Sequence, residues 1–147
     1  MRKLRVLFRV GRLLSPSTVV LRDDGVLEIV LASPVSESTK IKGSLSPAEI
    51  GSIVPGGLEF SLRERECEFS TRRLRRKMKI LDREERNMLK HLGVDLSKYF
   101  REGTRPYGEI YLVKLLKNDW EYSFIASRKS MTYIKNYLAK YCLEVLE

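Results

Sequence analysis

A chain of 147 residues with 43% apolar and 32% charged content can bury a core of its own, which excludes a disordered polymer. No run of 18 apolar residues occurs, so no membrane-spanning helix is expected, and Arg5, Arg9 and Arg12 interrupt the N-terminal apolar stretch too often for a secretory signal. The net charge is +9 and it is segregated: residues 1–22 carry six basic groups and no acid, residues 23–70 four basic and nine acidic, residues 71–147 eighteen basic and ten acidic.

In chain order, Val6, Phe8 and Val10 alternate with Arg5, Leu7 and Arg9, a period of two that predicts a half-buried first strand. The stretch TVVLRDDGVLEIVLA (18–32) places two β-branched runs around Asp23-Asp24-Gly25, a hairpin signature because Asp-Gly tolerates positive φ. A short strand is expected at 39–43. Ser46 to Glu49 reads as a capping box opening a short helix that stops before the loop Pro55-Gly56-Gly57. In residues 58–70, Leu58, Phe60 and Leu62 share one parity and Cys67 and Phe69 the other, so a bulge or bend is expected near Arg63–Arg65.

The next stretch, TRRLRRKMK (71–79), fits a strand or a helix equally well. A helix over 83–92 should end at Gly93, and Asp95 can cap one more turn before a loop at 101–108. Residues 109–117 and 120–126 around Asn118-Asp119 predict a second hairpin. Ser127 then caps a last helix running to the C-terminus, with Met131, Ile134, Leu138, Tyr141 and Val145 as its buried stripe. The expected class is α+β: a β-rich lobe over 1–80, a small barrel or curled antiparallel sheet, and an α-β-β-α lobe over 81–147, the two allowed to form one continuous domain.

Function is expected to reside in the basic stretch. Arg72, Arg73, Arg75, Arg76, Lys77 and Lys79 fall within nine positions, and arginine offers a bidentate fork to phosphate. Pairing of Glu64, Glu66 and Glu68 with these residues, or with Arg5 and Arg9, would neutralise only part of the charge. The tyrosines Tyr133, Tyr137 and Tyr141 lie in one helical column, where they can either stack on bases or edge the core. His91 is the only histidine, so neither a metal set nor a catalytic triad is expected, and Asp119 and Glu121 with Lys114 give only a weak nuclease pattern. Cys67 and Cys142 are expected as two buried thiols. The sequence has no glutamine and three asparagines, which resembles thermophile composition. The leading expectation is a non-enzymatic, cytoplasmic nucleic-acid-binding protein, DNA or RNA, or the basic subunit of a nucleic-acid-processing assembly, without cofactor or metal. The alternative is an interaction module whose arginine cluster docks an acidic partner and whose last helix forms a dimer or partner interface.

Overall fold

The computed structural model describes residues 1–10, 13–31, 58–74, 83–94 and 109–146. The strand expected at 39–43, the capping box at Ser46, the Pro55-Gly56-Gly57 loop, the turn at Asp95 and the loop at 101–108 lie outside the described residues. Eight strands form one sheet: β1 (Arg2–Val10), β2 (Leu13–Leu21), β3 (Val26–Leu31), β4 (Leu58–Ser61), β5 (Cys67–Arg73), β6 (Ile110–Lys117), β7 (Trp120–Ser127) and β8 (Leu143–Glu144). Helix α1 (Arg83–His91) precedes β6 and helix α2 (Arg128–Tyr141) follows β7. The order across the sheet is β4-β3-β2-β1-β7-β6-β5-β8, and all neighbours are antiparallel except β5 and β8.

The turns follow the local chemistry of the sequence. Gly25 sits at φ +80° between β2 and β3, and an added Cβ would stand 2.7 Å from the Arg63 side chain, so the position needs glycine twice over. Asn118 and Asp119 both take positive φ (53° and 65°) and close the two-residue β6–β7 hairpin. Gly93 (φ +75°) ends α1. Its N–H donates to the Lys90 carbonyl and that of Val94 to the Leu89 carbonyl, both at 3.0 Å, while Val94 and Leu89 pack together below. The change of phase expected near Arg63–Arg65 is a turn rather than a bulge. Arg65 has φ 58° and donates to the Leu62 carbonyl, and β4 and β5 part to opposite ends of the sheet order.

The sheet curls but does not close into a barrel. An eight-stranded barrel has room inside for side chains only, whereas this concave face holds a whole helix. Ile134 and Leu138 of α2 are fully buried against Val6, Phe8, Val113, Leu115 and Phe124. Side chains instead of a ladder tie the edge strand β4 to the other half of the sheet: the Lys117 ammonium of β6 donates to the Ser61 carbonyl, and Phe60 packs edge-on against Tyr122 of β7 with centroids 4.5 Å apart. The stripe expected on the last helix is thus covered by the chain's own sheet. It ends early, however. Cys142 is extended, and Val145 lies past the helix, with its N–H on the Phe69 carbonyl at 2.8 Å.

On the convex face, α1 buries Leu89 and Leu92 against Leu7, Ile110 and Ile125. Leu7, expected on the wet side of β1, is therefore dry. His91 follows it down: Nε2 lies 3.0 Å from the Val6 carbonyl oxygen and 3.1 Å from that of Ser17, so this nitrogen carries the hydrogen and donates to both. Inside, the Tyr137 hydroxyl donates to the carbonyls of Arg22 (2.7 Å) and Val26 (3.2 Å), tying α2 to the mouth of the first hairpin.

Cys67 and Cys142 are not thiols. They form a disulfide across 75 positions, because α2 returns the chain to the start of β5. A loop of that length, closed in the unfolded chain, is worth about 4 kcal/mol in the chain-entropy account. Joint replacement of Cys67 and Cys142 by alanine is expected to lower the unfolding free energy by about 3–5 kcal/mol in a denaturant titration; a loss below about 1 kcal/mol would show that the bond does not constrain the unfolded chain.

Burial pushes the Tyr137 phenol up to about 12. The unfolded phenol ionises near pH 10, so the stability gained from the folded, neutral form is intact below about pH 10 and lost as pH rises towards about 12. The stability advantage of wild type over Tyr137→Phe should be constant below pH 10 and shrink through that window; an advantage independent of pH to 12 would mean that the phenol titrates normally.

Candidate nucleic-acid interface

Of the six basic residues expected to bind, Arg72 and Arg73 fall among the described residues. Both are exposed at the end of β5, paired in register with Leu112 and Tyr111. Neighbours on a strand face opposite sides, so the two do not form a common row. Arg75, Arg76, Lys77 and Lys79 lie outside the described residues, and the strand assignment of the basic stretch holds for Thr71–Arg73 alone.

Several acids of the 23–70 segment are engaged elsewhere. Arg22 binds Asp24 (2.5 Å), Glu28 (3.0 Å) and Glu59 (3.5 Å). Desolvation works against the Asp24 carboxylate, yet its hydrogen bonds from Arg22 and the Val26 N–H hold it below the ordinary range. Glu64 is held low first by a backbone hydrogen bond of its own residue, then by the Ser61 hydroxyl, with Lys117 3.9 Å away. The expected cross-sheet pairing of Glu64, Glu66 and Glu68 with Arg5 or Arg9 does not occur. These acids lie at or before the start of β5, and β6 and β7 stand between β5 and β1.

An unneutralised basic site forms where β1 and β7 separate. Their ladder has two rungs only, Leu7 with Ile125 and Phe8 with Phe124. Beyond them β7 ends at Ser127 and the chain turns into α2, so the first residues of β1 and the first turn of the helix form the walls of an open cleft of about 630 Å³. Arg2, Lys3 and Arg5 supply one wall, and Arg128, Lys129 and Ser130 the other. Glu109 is the one carboxylate in the lining among the described residues. None of the five cations forms an ion pair among the described residues.

The second wall is notable for where its charge sits. The Ser127 hydroxyl accepts from the Ser130 N–H at 3.3 Å and caps α2, whose first turn has no acid and begins Arg128-Lys129. Cations at a helix N-terminus oppose the helix dipole, and each costs about 0.3–1 kcal/mol. The whole arrangement concentrates positive potential: the positive end of the helix dipole, two cations beside it and three more across the cleft. Arg73 ends β5 at this same end of the sheet, since Tyr111 pairs with both Arg73 and Ala126.

The other candidates are structural. His91 is committed to two carbonyls. Asp119 occupies the hairpin turn, and Glu121 lies 3.6 Å from Lys114. Among the described residues no three of His, Cys, Asp and Glu come together as a metal site. Tyr137 is buried with its hydroxyl spent on the backbone, and Tyr141 packs against the core. Only Tyr133 reaches the cleft, where the Arg2 guanidinium lies 3.8 Å over its ring. Sequence reading missed the cleft itself. Two signals were available: an N-terminal segment with six basic groups and no acid, and a capped helix that opens on two cations.

Comparison with protein-family models, with curated proteins and with solved structures found no match.

Replacing Arg128 and Lys129 by serine relieves the conflict with the helix dipole. Unfolding free energy in low salt is expected to rise by about 0.5–2 kcal/mol, read from the denaturant midpoint; a fall in stability would show that these side chains support the fold.

Proposed function

We propose that the protein binds nucleic acid without catalysing a reaction on it, mainly through phosphate contacts at the cleft between β1 and α2. The observation that carries the reading is the set of five cations around one cleft with, among the described residues, one carboxylate beside them. Charge placed against a helix dipole lowers stability, and an anion of high charge density offsets that loss on binding. Affinity of this kind falls with salt and depends weakly on sequence. Arg72 and Arg73, at the same end of the sheet, extend the positive surface towards the basic stretch.

A second reading, a protein-interaction module, is favoured by Leu143 and Leu146. They are 66% and 96% exposed on and beside β8, an edge strand with an open side. A partner adding to that edge would bury both.

No helix among the described residues is long and apolar enough to cross a membrane. The cytoplasmic placement is retained as part of the proposal. A disulfide is unusual in that compartment except in thermophiles, whose composition this chain resembles.

The test is a titration against DNA and RNA at several salt concentrations. Joint replacement of Lys3, Arg5, Arg128 and Lys129 by alanine removes up to four phosphate contacts. On a single strand the log–log salt slope should fall by about 3. An unchanged slope would move the surface away from the cleft, and absence of salt-dependent binding by wild type would overturn the reading altogether.

A further inference from the structure

The basic cleft does not end at Tyr133. Arg2 and Tyr133 also line a second cavity of about 380 Å³ between the β2–β3 turn and the outer side of α2. The two cavities differ in chemistry. The second contains the Asp23 carboxylate, which disfavours phosphate. Arg22 is already bound by Asp24, Glu28 and Glu59 and the Met1 ammonium lies 3.2 Å from Asp23, which leaves Lys140, among the described residues, as the cation of this cavity beyond Arg2. It also presents the Asn136 amide, exposed and without a hydrogen-bonding partner among the described residues, and the ring of Tyr141. An amide and an aromatic ring suit the edge and face of a heterocyclic base rather than an anion.

At the boundary stands a planar cation with one face taken. The Arg2 guanidinium lies on Tyr133, 3.8 Å from the ring centroid, and Arg2 is exposed, so its outer face is open. A guanidinium held flat by a ring behind it offers a base a stacking surface that combines dispersion with charge.

We infer that the protein is selective for single-stranded nucleic acid: successive phosphates lie in the cleft between β1 and α2, and one unstacked base lies on the outer face of Arg2, backed by Tyr133, with its edge towards Asn136. This rests on the phosphate-binding reading above. The base must be unstacked because a duplex keeps base faces within its own stack, so a double strand can use the cations but not the platform.

Arg2 and Tyr133 are positioned to separate plane from charge. Arg2→Lys keeps the charge and loses the plane; Tyr133→Leu removes the backing ring. Anisotropy titrations would use a single-stranded oligonucleotide, the duplex of the same length and a mononucleotide, at one salt concentration and then across several. Wild type is expected to bind the single strand at least about 5-fold more tightly than the duplex. Each variant is expected to weaken single-strand binding by about 5- to 150-fold, the loss of one stacked base, with a much smaller loss on the duplex and, because the charge is kept, the salt slope unchanged. Arg2 is exposed, so Arg2→Lys tests the inference even if Tyr133→Leu impairs folding. Unchanged single-strand affinity in Arg2→Lys would overturn it, as would parallel losses on single strand and duplex, or a mononucleotide binding as tightly as the strand. These outcomes leave the salt slope of wild type intact. The broader reading fails only when that slope is absent or indifferent to the cleft cations.

Discussion

The burial of α2 in the concave face of the sheet is the constraint from which the rest follows. A 14-residue helix with Ile134, Tyr137 and Leu138 as its buried face needs cover on several sides, and a flat sheet offers one. The sheet therefore wraps, and because its interior is filled by a helix about 10 Å across its two ends cannot meet as a ladder. The same helix fixes the site. To enter the concavity the chain must leave the sheet at Ser127, while β1 runs on past that point to Arg2, and the separation between them is the cleft. Fold and cleft have one cause.

Electrostatic segregation completes the arrangement. Asp23, Asp24, Glu28, Glu59 and Glu64 are engaged at the first hairpin and at the turn into β5. Arg22 alone takes up Asp24, Glu28 and Glu59. Arg2, Lys3 and Arg5 face Arg128 and Lys129 across the cleft instead. Exposed ion pairs contribute little to stability, so the acidic segment matters less as glue than by leaving one end of the sheet unneutralised. The two cavities either side of Arg2 then differ in a way a polymer with alternating charged and uncharged groups can use.

What the sequence made legible was local. Asp-Asp-Gly, Asn118-Asp119, Gly93 and the Ser127 cap are short-range devices in which the residue itself sets the backbone, and each sits where it was expected. The phase change at Arg63–Arg65 was visible as a break of parity, although parity cannot distinguish a bulge from a turn that sends two strands to opposite ends of the order. Long-range pairing was not legible. Nothing in the alternation of β1 says that its neighbour is β7, and Leu7 reads as outward until α1 covers it. Cys67 and Cys142 are 75 positions apart, and two cysteines alone carry no spacing signal. The cleft was hidden for the same reason. Its walls are about 125 residues apart in the chain, and the denser run at 71–79 drew attention by being contiguous.

The two-rung ladder between β1 and β7 has a further consequence, for how the molecule comes apart. On one side lie β4, β3, β2 and β1, all drawn from residues before 62; on the other lie β7, β6, β5 and β8, all from residues after 66. Each set of four is a nearly sequential sheet, and the backbone ladder between them is the two rungs, supplemented by the Lys117–Ser61 and Phe60–Tyr122 contacts, with α1 riveted over it outside and α2 inside. The disulfide lies wholly within the second set. It shortens the unfolded excursions of that half and does nothing for the other. Amide exchange should thus divide the molecule into two cooperative units of unequal protection, with the stapled C-terminal strands outlasting the N-terminal ones. The cleft lies across the boundary between them, with one wall on each unit, so an anion held there acts as a non-covalent clasp: it couples the opening of the weaker half to the stability of the stronger.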